Sequence, residues 1–125
     1  RYNDTYGHQK GDDCLRAVAG ALSRAAFRPA DLVSRYGGEE FAVIMPNTDL
    51  IGARAVAERI CEAVRHLEIP HVASEISQSV TMSLGVGAII PNSASSPALL
   101  IGAADAALYR AKHSGRNCVV VAEAE

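Results

Sequence analysis

Two glycines and two glutamates stand between two apolar runs in the segment Gly37-Gly38-Glu39-Glu40. A backbone without side chains lets a ligand approach closely. The neighbouring carboxylates could hold Mg²⁺, which takes its remaining ligands from water and substrate phosphates. Because strand side chains alternate between faces, Glu39 and Glu40 point apart unless the strand is bulged. The alternative is a solvated turn with two surface glutamates, and the segment alone favours it.

A second polar segment, NDTYGHQKGDD, leads from near the start of the chain into a predicted helix. Its Asn and Asp side chains could pair with the edge of a guanine base, since a carboxylate accepts hydrogen bonds from the ring N–H and the exocyclic amine. Turn and helix-capping chemistry explains Asp4, Gly7, Gly11 and Asp12 without a ligand, and the segment alone favours that alternative. The segment is therefore compatible with nucleotide recognition but does not establish it.

Lys112 and Arg116 flank the end of a predicted helix in the segment KHSGRN. Their charges could neutralise phosphate groups, or they could complement the dipole at the helix C-terminus. The phosphate-loop pattern GxxxxGK[ST] does not occur, and the four histidines lack metal-ligand spacing, so we expect them mostly on the surface. Each polar segment, taken alone, is explained by an ordinary structural role.

The scaffold for these segments is predicted by the hydrophobic pattern, in which helices alternate with mostly apolar strands. The predicted elements are a helix from Asp12 or Asp13 to Pro29, a hairpin turning at Gly37-Gly38, a helix capped within 47–49 and ended by Pro70, a strand over 79–90, a helix from Ser96-Pro97 to Ser114-Gly115, and a strand over 118–122. Residues 71–78 are ambiguous between strand and turn. This order predicts a sheet with helices packed on it.

The composition describes a globular domain: 125 residues, 49% hydrophobic and 21% charged, with a net charge of −2. That charge argues against charge-driven binding to nucleic acid or to an anionic membrane. No apolar run approaches the roughly 20 residues of a membrane-spanning helix. Cys14, Cys61 and Cys118 form no CxxC pair and no zinc spacing, so we expect reduced thiols that mostly fill core space.

Taken together, the polar segments resemble the GGDEF domain, the catalytic module of bacterial diguanylate cyclases. The pentapeptide that names the family stands here as Gly37-Gly38-Glu39-Glu40-Phe41. Three further segments match the family in order: YNDTYGHQKGDDCL (2–15), VTMSLGV (80–86) and ADAALYRAKHSGRN (104–117). The resemblance implies an α/β (α+β) fold, a ferredoxin-like palm shared with nucleotide cyclases and polymerases, whose central, mostly antiparallel sheet is flanked by helices.

The resemblance also implies an enzyme that condenses two GTP into cyclic di-GMP and two pyrophosphates across a homodimer of domains, with Mg²⁺ (or Mn²⁺) as cofactor. On this interpretation Glu39 is a metal ligand and the general base, and Glu40 assists the metal. The implied substrate-binding residues are Asn3 and Asp12 for guanine, Gly37 and Gly38 for close approach of the nucleotide, and Lys112 and Arg116 for the terminal phosphates.

A second, inhibitory site is implied by Arg28-Pro29-Ala30-Asp31, which fits the RxxD motif that binds product in this family. Five residues separate the motif from Gly37. An arginine can pair with the O6/N7 edge of guanine through two hydrogen bonds, and Arg35 is assigned to the same site. The alternative is a surface ion pair.

The family carries a strand upstream of the YND segment, with a metal-binding Asp followed by a Phe-Lys. We therefore expect residues 1–125 to be a single GGDEF domain that lacks its first strand, cut from a larger signalling protein with an upstream sensory or receiver domain. The domain itself is expected in the cytoplasm, and the larger protein could be a membrane-anchored sensor. The chain by itself could then be inactive. We expect neither nucleic acid nor membrane contact by this domain. The competing interpretations are an inactive receptor for GTP or cyclic di-GMP, and a structural dimerising domain that binds no nucleotide.

Overall fold

The structure, a computed structural model, describes residues 8–37, 40–69 and 81–122, with side chains from 13–35, 40–69 and 81–122. In this part of the chain three helices alternate with four strands in the predicted order. The elements are α1 (His8–Ala25), β1 (Leu32–Gly37), β2 (Glu40–Ile44), α2 (Leu50–His66), β3 (Leu84–Val86), α3 (Pro97–His113) and β4 (Val119–Val121).

Helix α1 begins earlier than the sequence predicted. It starts at His8, so Asp12 and Asp13 lie inside the helix and do not cap it. Histidine, glutamine and lysine are tolerated in helices, and the interior Gly11 costs only about 1 kcal/mol relative to alanine, so the helix extends through the predicted boundary. Its inward face includes Val18 and Leu22, which are buried in the core.

Strands β1 and β2 form the predicted antiparallel hairpin, but Gly37, predicted in the turn, is the last residue of β1. Gly37 pairs with Glu40 at the end of the ladder. The register shifts between Arg35 and Gly37, which leaves Tyr36 as an extra residue in β1. Such bulges bend a strand and redirect its side chains.

Helix α2 separates two apolar clusters and forms the centre of the core. Asp49 caps it as predicted, with its carboxylate accepting a hydrogen bond of 2.8 Å from the Gly52 N–H. One side of α2, including Ile60 and Val64, packs on α1 and on the inner side chains of the hairpin. The other side contacts β3 and β4. The buried residues of α2 recur at helical spacing: Ala53, Val56, Ala57, Ile60, Cys61 and Val64.

Strands β3 and β4 pair in parallel, with Leu84 opposite Val119. The strand predicted over 79–90 is wrong in extent, because only Leu84–Val86 forms a ladder within the described residues. The apolar run continues to Ile90, but Ile89 and Ile90 are exposed and have no strand partner there. Pairing, and not apolar character, therefore sets the length of this strand.

Helix α3 packs against β3 and β4 and has the predicted caps. The Ser96 hydroxyl accepts a hydrogen bond from the Leu99 N–H, Pro97 occupies the first turn, and Ser114 ends the helix. Ala107 and Ala111 are fully buried against the strands. Small residues on this face let the helix approach the strands closely.

The cysteines are free thiols, as predicted: Cys61 is buried, while Cys14 and Cys118 are partly buried. None of the helices in the described part has the length and apolar character needed to cross a membrane. The ambiguous segment 71–78 lies outside the described residues.

Candidate active site

Glu40 stands at the first position of β2, directly after the tip of the hairpin, and it is exposed to solvent. Phe41 and Val43 pack inward on the core, so the alternation of the strand turns Glu40 away from the core. Gly37 pairs with Glu40 at the end of the ladder. The hairpin thus holds a carboxylate and a glycine backbone opposite each other where its ladder ends at the tip.

The donor chemistry at this tip fits a hard divalent cation. The sequence offers two adjacent carboxylates, and Mg²⁺ requires only one or two from protein because water and phosphate oxygens complete its coordination. Within the described residues there is no cluster of three or more His, Cys, Asp or Glu side chains that could hold a metal. Glu40 is the one carboxylate of the predicted pair that the structure describes, and its role as a metal ligand stays a prediction.

Lys112 and Arg116 lie at the opposite end of helix α3 from its Ser96 cap. Lys112 is partly buried in the last turn, and Arg116 is exposed in the turn that follows. Neither side chain forms an ion pair with another described residue. The two cations thus lie close in sequence at the C-terminal end of α3, and no carboxylate of a described residue forms an ion pair with either. Within the described part, no hydrogen bond or ion pair links them to the hairpin.

Arg28 and Asp31 form a closed, bidentate ion pair. The Arg28 Nε–H and Nη2–H donate to the two carboxylate oxygens of Asp31 at 3.1 and 2.9 Å. The Asp31 N–H also donates to the Arg28 carbonyl at 2.9 Å, so the two-residue spacing builds a tight turn. The carboxylate is 2% exposed while the Arg28 side chain is 43% exposed. Asp31 therefore orients a guanidinium that faces solvent.

Thr48 is a further partner of Arg28 that the sequence did not predict. Arg28 Nη2 donates a short hydrogen bond to the Thr48 hydroxyl, which in turn donates to the Pro46 carbonyl at 3.0 Å. The described hydrogen bonds of Arg28 use Nε and Nη2, and none of them uses Nη1. Arg35, the third residue assigned to this site, is exposed on β1.

Several predicted site residues lie outside the described part of the chain. Asn3, Gly38 and Glu39 belong to this group. For Asp12 the structure describes the backbone, which lies in α1, but not the side chain. The roles assigned to these four residues stay predictions.

A polar contact between α2 and the turn after α3 was not predicted from the sequence. Arg65 Nη1 donates to Asn117 Oδ1 at 3.0 Å and approaches Cys61 Sγ at 3.5 Å. Arg65 Nη2 pairs with Glu62, and this hydrogen bond and charge hold the pKa of Glu62 below its ordinary value. Burial raises the pKa of Cys61, which keeps it a neutral thiol. Arg65 and Asn117 are 52 positions apart, and no local sequence pattern predicts a contact at that separation.

Comparison with known proteins identifies the class. A sequence model of the family described as "Diguanylate cyclase, GGDEF domain" matches residues 1–118. The intact GGEEF segment at the tip of the described hairpin agrees with that match. The chain belongs to the GGDEF domain family of diguanylate cyclases.

Individual relatives support the same assignment. The chain is 41% identical over 121 residues to the probable diguanylate cyclase DgcT of Escherichia coli, covering 97% of this chain and 26% of that protein. It is 43% identical over 120 residues to the response regulator PleD of Caulobacter vibrioides, covering 96% of this chain and 26% of PleD. The chain thus spans about a quarter of the length of these relatives.

Solved structures confirm the nucleotide-cyclase palm fold. The GGDEF domain of DgcB from Caulobacter crescentus in complex with c-di-GMP superposes with a TM-score of 0.81 at 34% identity, covering 98% of this chain and 71% of that chain. The active GGEEF domain of a diguanylate cyclase from Vibrio cholerae superposes with a TM-score of 0.75 at 27% identity, covering 98% and 75%.

Proposed function

We propose that this chain is the catalytic domain of a diguanylate cyclase, which condenses two GTP molecules into cyclic di-GMP and two pyrophosphates. The observation that carries the proposal is the hairpin. Its family pentapeptide is intact, and its ladder closes at Gly37 and Glu40, directly around the glycine and glutamate assigned to nucleotide and metal. The reaction is inferred from family membership, and the hairpin is a scaffold suited to that reaction.

The chemistry requires two GTP molecules in opposed orientation. The 3′-oxygen of one GTP forms a bond to the α-phosphorus of the other, the bond from that phosphorus to the bridging oxygen breaks, and pyrophosphate leaves. Glu39 accepts the proton of the attacking hydroxyl. The same step repeated in the other direction closes the ring. Two copies of the domain must face each other, because each holds one GTP.

The remaining residues bind and orient the nucleotide. Asn3 and Asp12 pair with guanine, and the glycines of the hairpin let the triphosphate lie against the backbone. Lys112 and Arg116 stabilise the terminal phosphates, which is consistent with their lack of ion pairs to described residues. Mg²⁺ (or Mn²⁺) held by Glu39 and Glu40 would supply charge stabilisation at the reacting phosphate.

Product inhibition is the second part of the proposal. The solved structure of the DgcB domain contains c-di-GMP, and the Arg28–Asp31 pair offers a guanidinium already oriented toward solvent. We assign this pair, with Arg35, to a site where an arginine edge meets a guanine of cyclic di-GMP. Arg28 can keep its ion pair with Asp31 and still bind guanine, because its described hydrogen bonds leave Nη1 available.

The whole protein adds the regulation. We place the domain in the cytoplasm, where its substrate is available, under an upstream sensory or receiver domain that brings two copies together. The description of PleD as a response regulator supports such an arrangement. Cyclic di-GMP then acts as both product and inhibitor.

The test is GTP turnover with Mg²⁺ by the full-length protein, with the nucleotide products identified by mass. We expect Glu39→Gln to lower turnover at least 100-fold, since it removes a base and a metal ligand. The matched control is Glu58→Gln on the exposed side of α2, which should leave turnover unchanged. Intact GTP together with cyclic di-GMP binding that depends on Arg28 would instead establish a receptor domain.

A further inference from the structure

The turn that follows helix α3 has an unusual backbone. Three consecutive residues, Gly115, Arg116 and Asn117, have positive φ angles of 105°, 62° and 48°. Glycine adopts this left-handed region freely and asparagine tolerates it, but arginine is seldom found there. The Arg116 conformation therefore depends on contacts that hold the turn from outside.

Backbone hydrogen bonds fix the two ends of this turn. The Arg116 N–H donates to the Ala111 carbonyl at 3.1 Å, which ties the turn to the end of α3. The Cys118 carbonyl accepts from the Leu84 N–H at 2.9 Å, which ties it to β3. The Cys118 thiol also lies 3.5 Å from the Ala111 carbonyl oxygen. Asn117 lies between these anchors, and its side chain makes the contact that links the turn to α2.

Arg65 holds that side chain. Its Nη1 donates to Asn117 Oδ1 at 3.0 Å across 52 residues of sequence. The guanidinium is itself fixed from two other sides, by Glu62 at Nη2 and by the Cys61 sulfur at 3.5 Å from Nη1. Because Glu62 neutralises it, Arg65 is poorly suited to bind phosphate directly. Its position makes it an anchor from α2 to the turn.

We propose that Arg65 is a positioning residue for nucleotide binding. Through Asn117 it fixes the left-handed backbone of Arg116, and thereby the direction in which Arg116 meets the terminal phosphates of GTP. The inference rests on the proposed function, because it takes the phosphate role of Arg116 as given. It adds a residue on another helix, remote in sequence from the motifs that define the site.

Loss of the Arg65–Asn117 hydrogen bond should affect the binding of only one part of the nucleotide. Loss of the anchor should weaken the hold on the β- and γ-phosphates and leave recognition of the guanine and ribose intact. A charge-assisted hydrogen bond of this kind is large enough to change affinity about tenfold when removed. The affinity ratio of a triphosphate to a monophosphate therefore isolates the effect, since guanosine monophosphate lacks both terminal phosphates.

The experiment measures binding to the full-length protein by competition against a fluorescent guanine nucleotide. The two ligands are a GTP analogue with a methylene bridge between the α- and β-phosphates, which cannot react, and guanosine monophosphate. The variants are Arg65→Met, Asn117→Gly and their double mutant. Glycine accepts the left-handed backbone, so Asn117→Gly removes the link without adding strain. Arg54→Met is the matched control, because Arg54 lies on the same helix and pairs only loosely with Glu58 at 3.9 Å.

We expect each single variant to lower the triphosphate-to-monophosphate affinity ratio about tenfold, the double variant to lower it no further, and Arg54→Met to leave it unchanged. An unchanged ratio in Arg65→Met would overturn the inference. An equal loss of affinity for both ligands would also overturn it, because that is the result of a merely structural role. A wild-type protein that binds neither ligand would refute the proposed function itself, and with it the inference.

Discussion

The close contact between β3 and α3 leads to a sharp prediction for Gly85, which pairs with Val120 in the strand ladder. A Cβ atom added at Gly85 would lie 2.2 Å from the Leu108 nitrogen and 2.3 Å from the Ala104 carbonyl oxygen. Both are backbone atoms, so no side-chain rotation relieves the clash. Ordinary van der Waals contact begins at 3.4 Å, so α3 must move away from the strand by roughly 1 Å.

The cost of Gly85→Ala follows from that movement. Overpacking a tight core costs about 1–3 kcal/mol, and occasionally more. Because rigid backbone is displaced here, we expect about 3 kcal/mol or more of lost free energy of unfolding. In a domain of this size that corresponds to a fall in melting temperature of roughly 10 °C. Urea unfolding followed by circular dichroism measures the loss directly.

Two other glycines provide a graded control. A Cβ at Gly87 would meet its nearest neighbour, the Ala104 nitrogen, at 3.4 Å, so Gly87→Ala should be nearly neutral. A Cβ at Gly102, on the exposed side of α3, meets nothing within 4 Å. Gly102→Ala should therefore stabilise the domain by about 1 kcal/mol through helix propensity. If the free energy of unfolding of Gly85→Ala lies within about 0.5 kcal/mol of the wild-type value, the described packing of α3 on β3 is wrong.

Three further predictions concern the ion pairs and the buried thiol. Thr48→Val removes a hydrogen-bond acceptor that competes for an Arg28 N–H, so cyclic di-GMP should inhibit its turnover at a roughly two- to tenfold lower concentration. Arg28→Ala should relieve inhibition and leave turnover intact. Weaker inhibition of the Thr48→Val variant would contradict the role of Arg28 in binding the product. Cys61 should react with iodoacetamide more slowly than Cys118 in peptide mass mapping, because it is 1% exposed and its pKa is raised. Equal labelling rates would argue against the described core. The pKa of Glu62 is lowered on folding, so its contribution is present above the ordinary glutamate pKa and is lost as pH falls through the lower folded value. When the urea midpoint is plotted against pH, Glu62→Gln should therefore reduce the loss of stability at acid pH. If the acid part of the curve is unchanged, other carboxylates cause that loss.

Local chemistry accounts for the parts of the fold that could be predicted from the sequence. Asp49 and the Ser96-Pro97 pair define helix starts through hydrogen bonds within one turn, and both caps form as predicted. The hairpin follows from two β-branched and aromatic runs around glycine. The family assignment could also be predicted, because four motifs occur in the family's order between residues 2 and 117.

Long-range pairing accounts for what could not be predicted. The bulge at Tyr36 and the pairing of Gly37 with Glu40 are visible only in the ladder between the two strands. Within the described residues, the strand predicted over 79–90 is confined to Leu84–Val86, the three residues that pair with β4. The Arg65–Asn117 hydrogen bond joins elements 52 residues apart and has no periodic signature. In each case the tertiary partner decides the outcome.

The most direct test of the central claim is the stoichiometry of products from GTP. The full-length protein is incubated with GTP and Mg²⁺, cyclic di-GMP is quantified by mass, and pyrophosphate is quantified enzymatically. The proposed reaction predicts two pyrophosphates for each cyclic di-GMP, with no accumulation of GDP or phosphate. Unchanged GTP, or its hydrolysis to GDP and phosphate without cyclic di-GMP, would contradict the assignment of a diguanylate cyclase.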